Sequence, residues 1–274
     1  MLEGAGKGML VPFALLVVMA ASFGLVPAAT PIFARAQQKN YTGRYVPTGL
    51  GLPFVLLTAC AWLIAPPSIH GVPSSSPVVI LLGFSLLGLV DDLLGTREHR
   101  GYKGHFRALM GGKLTTGGLK ALGGGLLAVL ASFPQAKGLW DGAAGALMVL
   151  LAANAINLVD LRPGRAGKAF VLLGIVLTAF RPEARWIAPL AAAVVGYLPW
   201  DLRGEVMMGD TGANPLGAVL GFACWSSLTG PPRIAVIAAL LALNAAAERI
   251  SFSQFIACHP FLDWLDKLGR DEGK

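Results

Sequence analysis

Nine apolar runs divide the chain, at about residues 8–28, 49–66, 76–94, 115–133, 139–156, 168–181, 185–200, 211–229 and 232–248. A helix needs about 20 apolar residues to cross the hydrocarbon core of a bilayer, and about 17 can suffice. The pattern therefore predicts an all-α, polytopic transmembrane bundle of about nine spans, the sixth and seventh being short. The first run, Gly8–Val26, is long for a signal-peptide core and has no persuasive cleavage site, so it reads as a retained span. No internal repeat or soluble domain interrupts the pattern. Residues 1–274 read as a single integral membrane domain.

The polar connections orient the bundle. Basic residues collect in the first connection (Arg35, Lys39, Arg44), the third (Arg97, Arg100, Lys103, Arg107, Lys113) and the fifth (Arg162, Arg165, Lys168). The second connection has no Lys or Arg and the fourth has only Lys137. Cytoplasmic loops are the ones enriched in Lys and Arg, so the odd connections are expected inside, with the N-terminus outside and the C-terminus inside. Arg181 and Arg185 break the rule, with Glu183 between them. The segment 249–274 differs from the rest. Phe261, Leu262, Trp264, Leu265 and Leu268 interleave with Asp263, Asp266, Lys267 and Arg270. It predicts an amphipathic cytoplasmic tail, lying on the inner leaflet or against the loops; a plain surface helix packing on the bundle is the alternative.

Composition agrees with membrane residence. Hydrophobic residues make up 55% of the chain and charged ones 14%, against about 25% charged in a soluble domain. Thirty-five glycines suit close helix contact in lipid. The net charge of +7 lies between apolar runs and points to lipid or phosphate contact, not to nucleic acid. Cys60, Cys224 and Cys258 have no metal-ligand spacing.

The chemistry is expected at helix ends. Asp91 and Asp92 close the apolar run SPVVILLGFSLLGLVDDLLG. Carboxylates near a bilayer core are costly, by roughly 2.5–3.5 kcal/mol on the lenient insertion scale. Two adjacent ones repel each other and call for a cation, for which Mg2+ is the hard-ion candidate. Three further segments fall on the same predicted cytoplasmic face: RYVPTGLG (Arg44–Gly51), NAINLVD (Asn154–Asp160) and MGDTGANPLG (Met208–Gly217). Asp210 opens a predicted helix, where free N–H groups favour phosphate, although an N-cap role also accounts for it. Asn154 and Asn157 are neighbours on one helix face, which fits a site or a bond between helices.

In this order and on one face, the segments resemble the polyprenyl-phosphate N-acetylhexosamine-1-phosphate transferases. That superfamily includes phospho-MurNAc-pentapeptide translocase and the enzymes that load GlcNAc-1-phosphate onto undecaprenyl phosphate. The resemblance covers about Arg35 to Gly221. It implies Mg2+-dependent transfer of a sugar-1-phosphate from a UDP-sugar to a membrane polyprenyl phosphate, with release of UMP, in bacterial cell-envelope synthesis. It implies catalytic roles for Asp91, Asp92 and Asp160, with Asp92 and Asp210 as metal ligands. It further implies substrate contacts from Thr48, Lys113, Asn154 and Asn157. A homodimer is compatible with it.

The chain also departs from that pattern. Pro163 stands where a second aspartate, linked to uracil recognition, is expected, and Leu161 replaces a glycine. Met207 stands where an aromatic partner for the base occurs, and the histidine-rich loop is absent, leaving His259 alone in CHPF. Arg162, Arg165 and Lys168 make the altered loop basic, and so become expected grips on the donor diphosphate; contact with anionic headgroups is the plainer alternative. Two functions follow: an active transferase, or a non-catalytic polyprenyl-phosphate-binding relative. A transporter would place its polar groups near mid-bilayer, whereas these gather at one face.

Overall fold

The computed structural model describes residues 2–95 and 115–270. Helices occupy all nine apolar runs: α1 (Leu2–Ala29), α2 (Leu52–Ile64), α3 (Ser76–Leu94), α4 (Thr116–Ser132), α5 (Leu139–Val159), α6 (Arg165–Phe180), α7 (Ala188–Leu202), α8 (Gly209–Ser227) and α9 (Pro231–Ala247). Two short helices follow, α10 (Phe252–Ala257) and α11 (Pro260–Lys267). Among the described residues, four segments are long and apolar enough to cross a membrane: Leu10–Phe33, Ser76–Leu94, Thr116–Gln135 and Leu139–Val159. Their outward side chains, such as Phe13, Leu86, Leu126 and Leu130, are exposed, as lipid-facing residues are. The fold is thus a helical membrane-type bundle. Of the other five helices, α2, with 13 residues, rises only about 20 Å at 1.5 Å per residue.

α8 shows why apolarity is a poor guide at the centre. It carries Asp210, Thr211, Asn214 and four glycines, yet from Thr211 to Ala223 every residue is buried. It packs chiefly against α3 and α5. Protein surrounds it, so lipid sets no demand on its composition. Small residues set the spacing. A Cβ on Gly217 would fall on the carbonyl of Ala152 in α5, and one on Gly88 in α3 would fall on that of Asp210. Such close backbone approach is how helices associate where lipid removes the hydrophobic drive.

Two small hairpins supplement the all-α expectation. β1 (Gln37–Lys39) pairs antiparallel with β2 (Tyr45–Pro47), and the Asn40 side-chain oxygen closes the turn by accepting from Thr42 N–H and Arg44 N–H, both at 3.0 Å. β3 (Ser68–Ile69) pairs with β4 (Val72–Pro73) through His70 and Gly71, both at positive φ. They occupy opposite ends of the bundle. α3 begins beside the end of α4, where Ser76 Oγ donates to the Ala131 carbonyl at 2.9 Å, and finishes beside the start of α4 and of α8.

The tail does form amphipathic helix, and it docks on the bundle. α10 lies against α5, and α11 is tied to α6 through Arg165 and Asp266.

Candidate active site

The site forms where the end of α3, the start of α4, the end of α5 and the start of α8 meet. The segment after β2 lies along the strand entering α8. Met207 N–H donates to the Pro47 carbonyl at 2.9 Å, and Leu50 and Gly51 N–H donate to the carbonyls of Met207 and Met208 at 3.1 Å each. This pairing brings Thr48 against Gly209, whose φ of +65° is a conformation that glycine adopts without steric cost. A Cβ there would collide with the Asp92 carboxylate.

Asp92 caps α8 from another helix. One carboxylate oxygen accepts from Asp210 N–H at 3.0 Å, and the other from Thr211 N–H at 2.9 Å and Thr211 Oγ1 at 2.6 Å. Four N–H groups open every helix start, and a carboxylate satisfies them while complementing the dipole. Sequence reasoning offered Asp210 for the N-cap. In the structure Asp92 does that work, and the Asp210 carboxylate is free to pair with Lys120.

Lys120, in the first turns of α4, is the residue the sequence reading missed. Its ammonium pairs with Asp210 and lies 3.8 Å from Asp91. Asn157 of α5, with its amide turned to satisfy both ends, donates to Asp210 Oδ1 at 3.0 Å and accepts from Lys120 Nζ at 3.2 Å. A signal existed: a lysine embedded in TGGLKALGGG lies within a span, where charge is costly and functional by default. Lys113, the lysine singled out instead, lies outside the described residues.

A cavity of about 370 Å³ opens beside this cluster. The hairpin side, Gln38 to Tyr41, forms one wall and Asp160 to Pro163 another; Thr48, Asp92, Asn157 and Asp210 also line it. The Arg162 guanidinium sits 4.6 Å from the Tyr41 ring centroid, joining the two walls. Thr48 is buried and its hydroxyl has no partner in the protein, an unmet polar group on the cavity lining. Burial, followed by the charges of Asp201, Asp210 and Asp92, holds the Asp160 carboxyl well above the usual carboxylate range. Asp201, also missed, is buried at the cavity; it accepts from Gly164 N–H at 2.8 Å and from the Tyr197 hydroxyl at 3.3 Å.

Three expected contacts are placed elsewhere. Asn154 donates to Asn244 Oδ1 on α9 at 2.6 Å, which makes it a bond between helices. Arg165 and Lys168 turn away from the cavity toward the tail, where Asp266 and the carbonyls ending α11 take their donors. Asp266 takes two of the guanidinium's donors and Ser253 a third, and Arg165 is buried. His259 bonds the Phe255 carbonyl at 2.7 Å, and its ring lies tilted at 38° to the Phe255 ring, centroids 4.3 Å apart.

The sequence model of Glycosyl transferase family 4 matches residues 75–228, which hold every residue of the acidic cluster. The phospho-N-acetylmuramoyl-pentapeptide-transferase of Moorella thermoacetica is 31% identical over 197 residues, covering 64% of this chain and 59% of that protein. That of Thermosynechococcus vestitus is 31% identical over 199 residues, covering 64% and 48%. That of Thermotoga petrophila is 27% identical over 238 residues, covering 74% and 72%. The chain thus spans roughly half the length of the first two relatives.

Proposed function

We propose a function from one premise, that this chain belongs to Glycosyl transferase family 4. It transfers a sugar-1-phosphate from a UDP-sugar to undecaprenyl phosphate or a similar polyprenyl phosphate, in bacterial cell-envelope synthesis. The observation that carries this reading is the convergence of Asp91, Asp210 and Asn157 on the Lys120 ammonium beside the cavity that Asn157 and Asp210 line.

Phosphoryl transfer asks a protein mostly for positioning and charge neutralisation. A lipid-phosphate oxygen attacks the sugar-linked phosphorus, the bond to the bridging oxygen breaks, and UMP leaves with that oxygen. Lys120 offers its charge to the phosphates. Thr48 offers an unpaired hydroxyl on the cavity lining. Asp91 is the better aspartate to receive the acceptor, because Asp92 already accepts three hydrogen bonds from the start of α8. Arg162 and Tyr41 bound the side where the nucleotide would lie.

The donor set also fits Mg2+. Asp91, Asp210 and the Asn157 amide oxygen are hard ligands, and the Lys120 ammonium among them marks a place where positive charge is favoured. Among the described residues no three His, Cys, Asp or Glu side chains form a metal site alone. That suits an ion that takes one or two carboxylates and completes its shell with water and substrate phosphate. When bound, Mg2+ supplies neutralisation of the transferring phosphates. Asp92, expected as a ligand, already accepts three hydrogen bonds from the start of α8.

We further propose nine spans with the site on the cytoplasmic face, N-terminus outside and C-terminus inside, on the Lys/Arg asymmetry. A cysteine placed at Asn40 and labelled only from outside would reject that orientation. Purified protein with undecaprenyl phosphate, Mg2+ and a panel of UDP-sugars should release UMP, and Asp210→Asn should abolish release. A second reading is favoured by one observation: with Arg165 and Lys168 turned away, Arg162 alone of the three loop cations faces the donor side. A non-catalytic protein would bind polyprenyl phosphate and release no UMP from any donor.

A further inference from the structure

Two cations in the first turn of a helix oppose its dipole, yet α6 opens with Arg165 and Lys168. Both are engaged by the tail. The Arg165 fork grips Asp266, Nε to Oδ1 at 2.8 Å and Nη2 to Oδ2 at 3.0 Å, while Nη1 donates to Ser253 Oγ at 3.1 Å. Arg270 reaches the same carboxylate, its Nη2 2.9 Å from Oδ1. These side chains are almost fully buried, at 8% exposure or less. Lys168 Nζ donates to the carbonyls of Leu265, Asp266 and Leu268 at 2.8, 2.6 and 3.1 Å. Those belong to the end of α11, where carbonyls lack helical partners. Leu202 is wedged between the two parts: a Cβ on Gly164 would collide with it, and one on Gly269 would lie 3.3 Å away.

The same few residues have a second face. Gly164 N–H bonds Asp201, and Asp160 to Pro163, immediately before it, form a wall of the cavity. Between cavity and tail there is one short loop, held from both sides.

We propose that Asp266 is a positioning residue: acting through Arg165, it makes the C-terminal segment a brace that fixes the cavity wall at residues 160–164. The activity arm of its test rests on the transferase reading; the brace itself does not. A bidentate, buried ion pair suits such a role, since removing one partner strands the other charge.

The test is hydrogen exchange on the full chain in lipid nanodiscs, comparing wild type, Asp266→Asn and Asp263→Asn, the last breaking only the exposed Asp263–Lys267 pair. The expected result is exchange of the amides of residues 161, 162, 164 and 165 about tenfold faster in Asp266→Asn, the scale of one charge-assisted bond, and unchanged in Asp263→Asn. In UMP release, Asp266→Asn should raise the donor KM by about tenfold and leave kcat and the lipid KM within about twofold. Faster exchange confined to the tail, with 161–165 as in wild type, would overturn the proposal. So would a fall in kcat with unchanged donor KM. If wild type releases no UMP, the transferase reading fails and the exchange measurement alone decides the brace. If Asp266→Asn does not fold, Ser253→Ala, which removes one Arg165 partner, should give the same contrast at smaller amplitude.

Discussion

Asp210 and Asp266 are both aspartates paired with cations at helix ends, and they do opposite things. Asp266 meets two guanidinium groups in fixed geometry and is nearly sealed from solvent. Asp210 meets one lysine, and both side chains remain about a quarter exposed. An arginine fork is planar and commits several donors to one carboxylate, whereas an ammonium is a compact charge on a flexible stem. The first arrangement builds. The second leaves charge that a substrate or a metal can reorganise. Burial, denticity and the choice of cation separate architecture from site here, since the acid is the same in both.

The sharpest attack on this contrast is Lys120→Met. It should reduce UMP release by a hundredfold or more, roughly the loss expected on removing one preorganised electrostatic contact, while thermal unfolding shifts little. Comparable activity in Lys120→Met would show the ammonium to be a bystander. Splitting the aspartate pair tests the same idea within one helix. Asp92→Ala should cost about 1.5–3 kcal/mol of stability, the worth of hydrogen bonds to a charged group, whereas Asp91→Ala should leave the melting temperature nearly unchanged and impair turnover. Equal effects of the two substitutions on melting would erase the distinction between cap and acceptor.

Acid separates the regions by titration. Burial alone would raise the Asp266 carboxyl, but hydrogen bonds from Arg165 and Arg270, with their charges, bring it down to about 2. A folded value below the ordinary one means that its stabilisation is complete above about pH 4 and is lost as pH falls toward 2. Tail docking, followed by exchange of residues 252–268, should therefore be flat from pH 7 to about 4.5 and loosen below it. The smallest effect is expected for Asn154→Leu. A hydrogen bond between membrane helices is worth about 0.6 kcal/mol on average, so melting should move slightly and UMP release should not change.

Much of the fold was legible because hydropathy is local. All nine apolar runs hold helices, and the tail is amphipathic and helical. The sequence showed less of α8, which read as one more span with Asp210 at its start. Its burial depends on neighbours that only the assembled bundle brings. The cluster was legible in its acids and in Asn157, since the motifs sit at helix ends on one predicted face. Lys120 escaped because the loop lysine Lys113 matched the expected pattern, although a lysine inside an apolar helix carries its own physical signal. Arg165 and Lys168 were assigned to phosphate on charge alone, and charge does not specify a partner.

By itself the sequence determined that this chain lies in a membrane, where its helices run and which carboxylates collect at one end, because apolar length and the cost of buried charge are properties of short segments. The tertiary structure decided that Asp92 caps α8 while Asp91 and Asp210 meet Lys120, and which basic residues serve the site and which hold the tail. Those choices turn on distances of 3–4 Å between groups remote in sequence. Electrostatic and hydrogen-bond energies fall away over a few ångströms, so only the packed bundle fixes them.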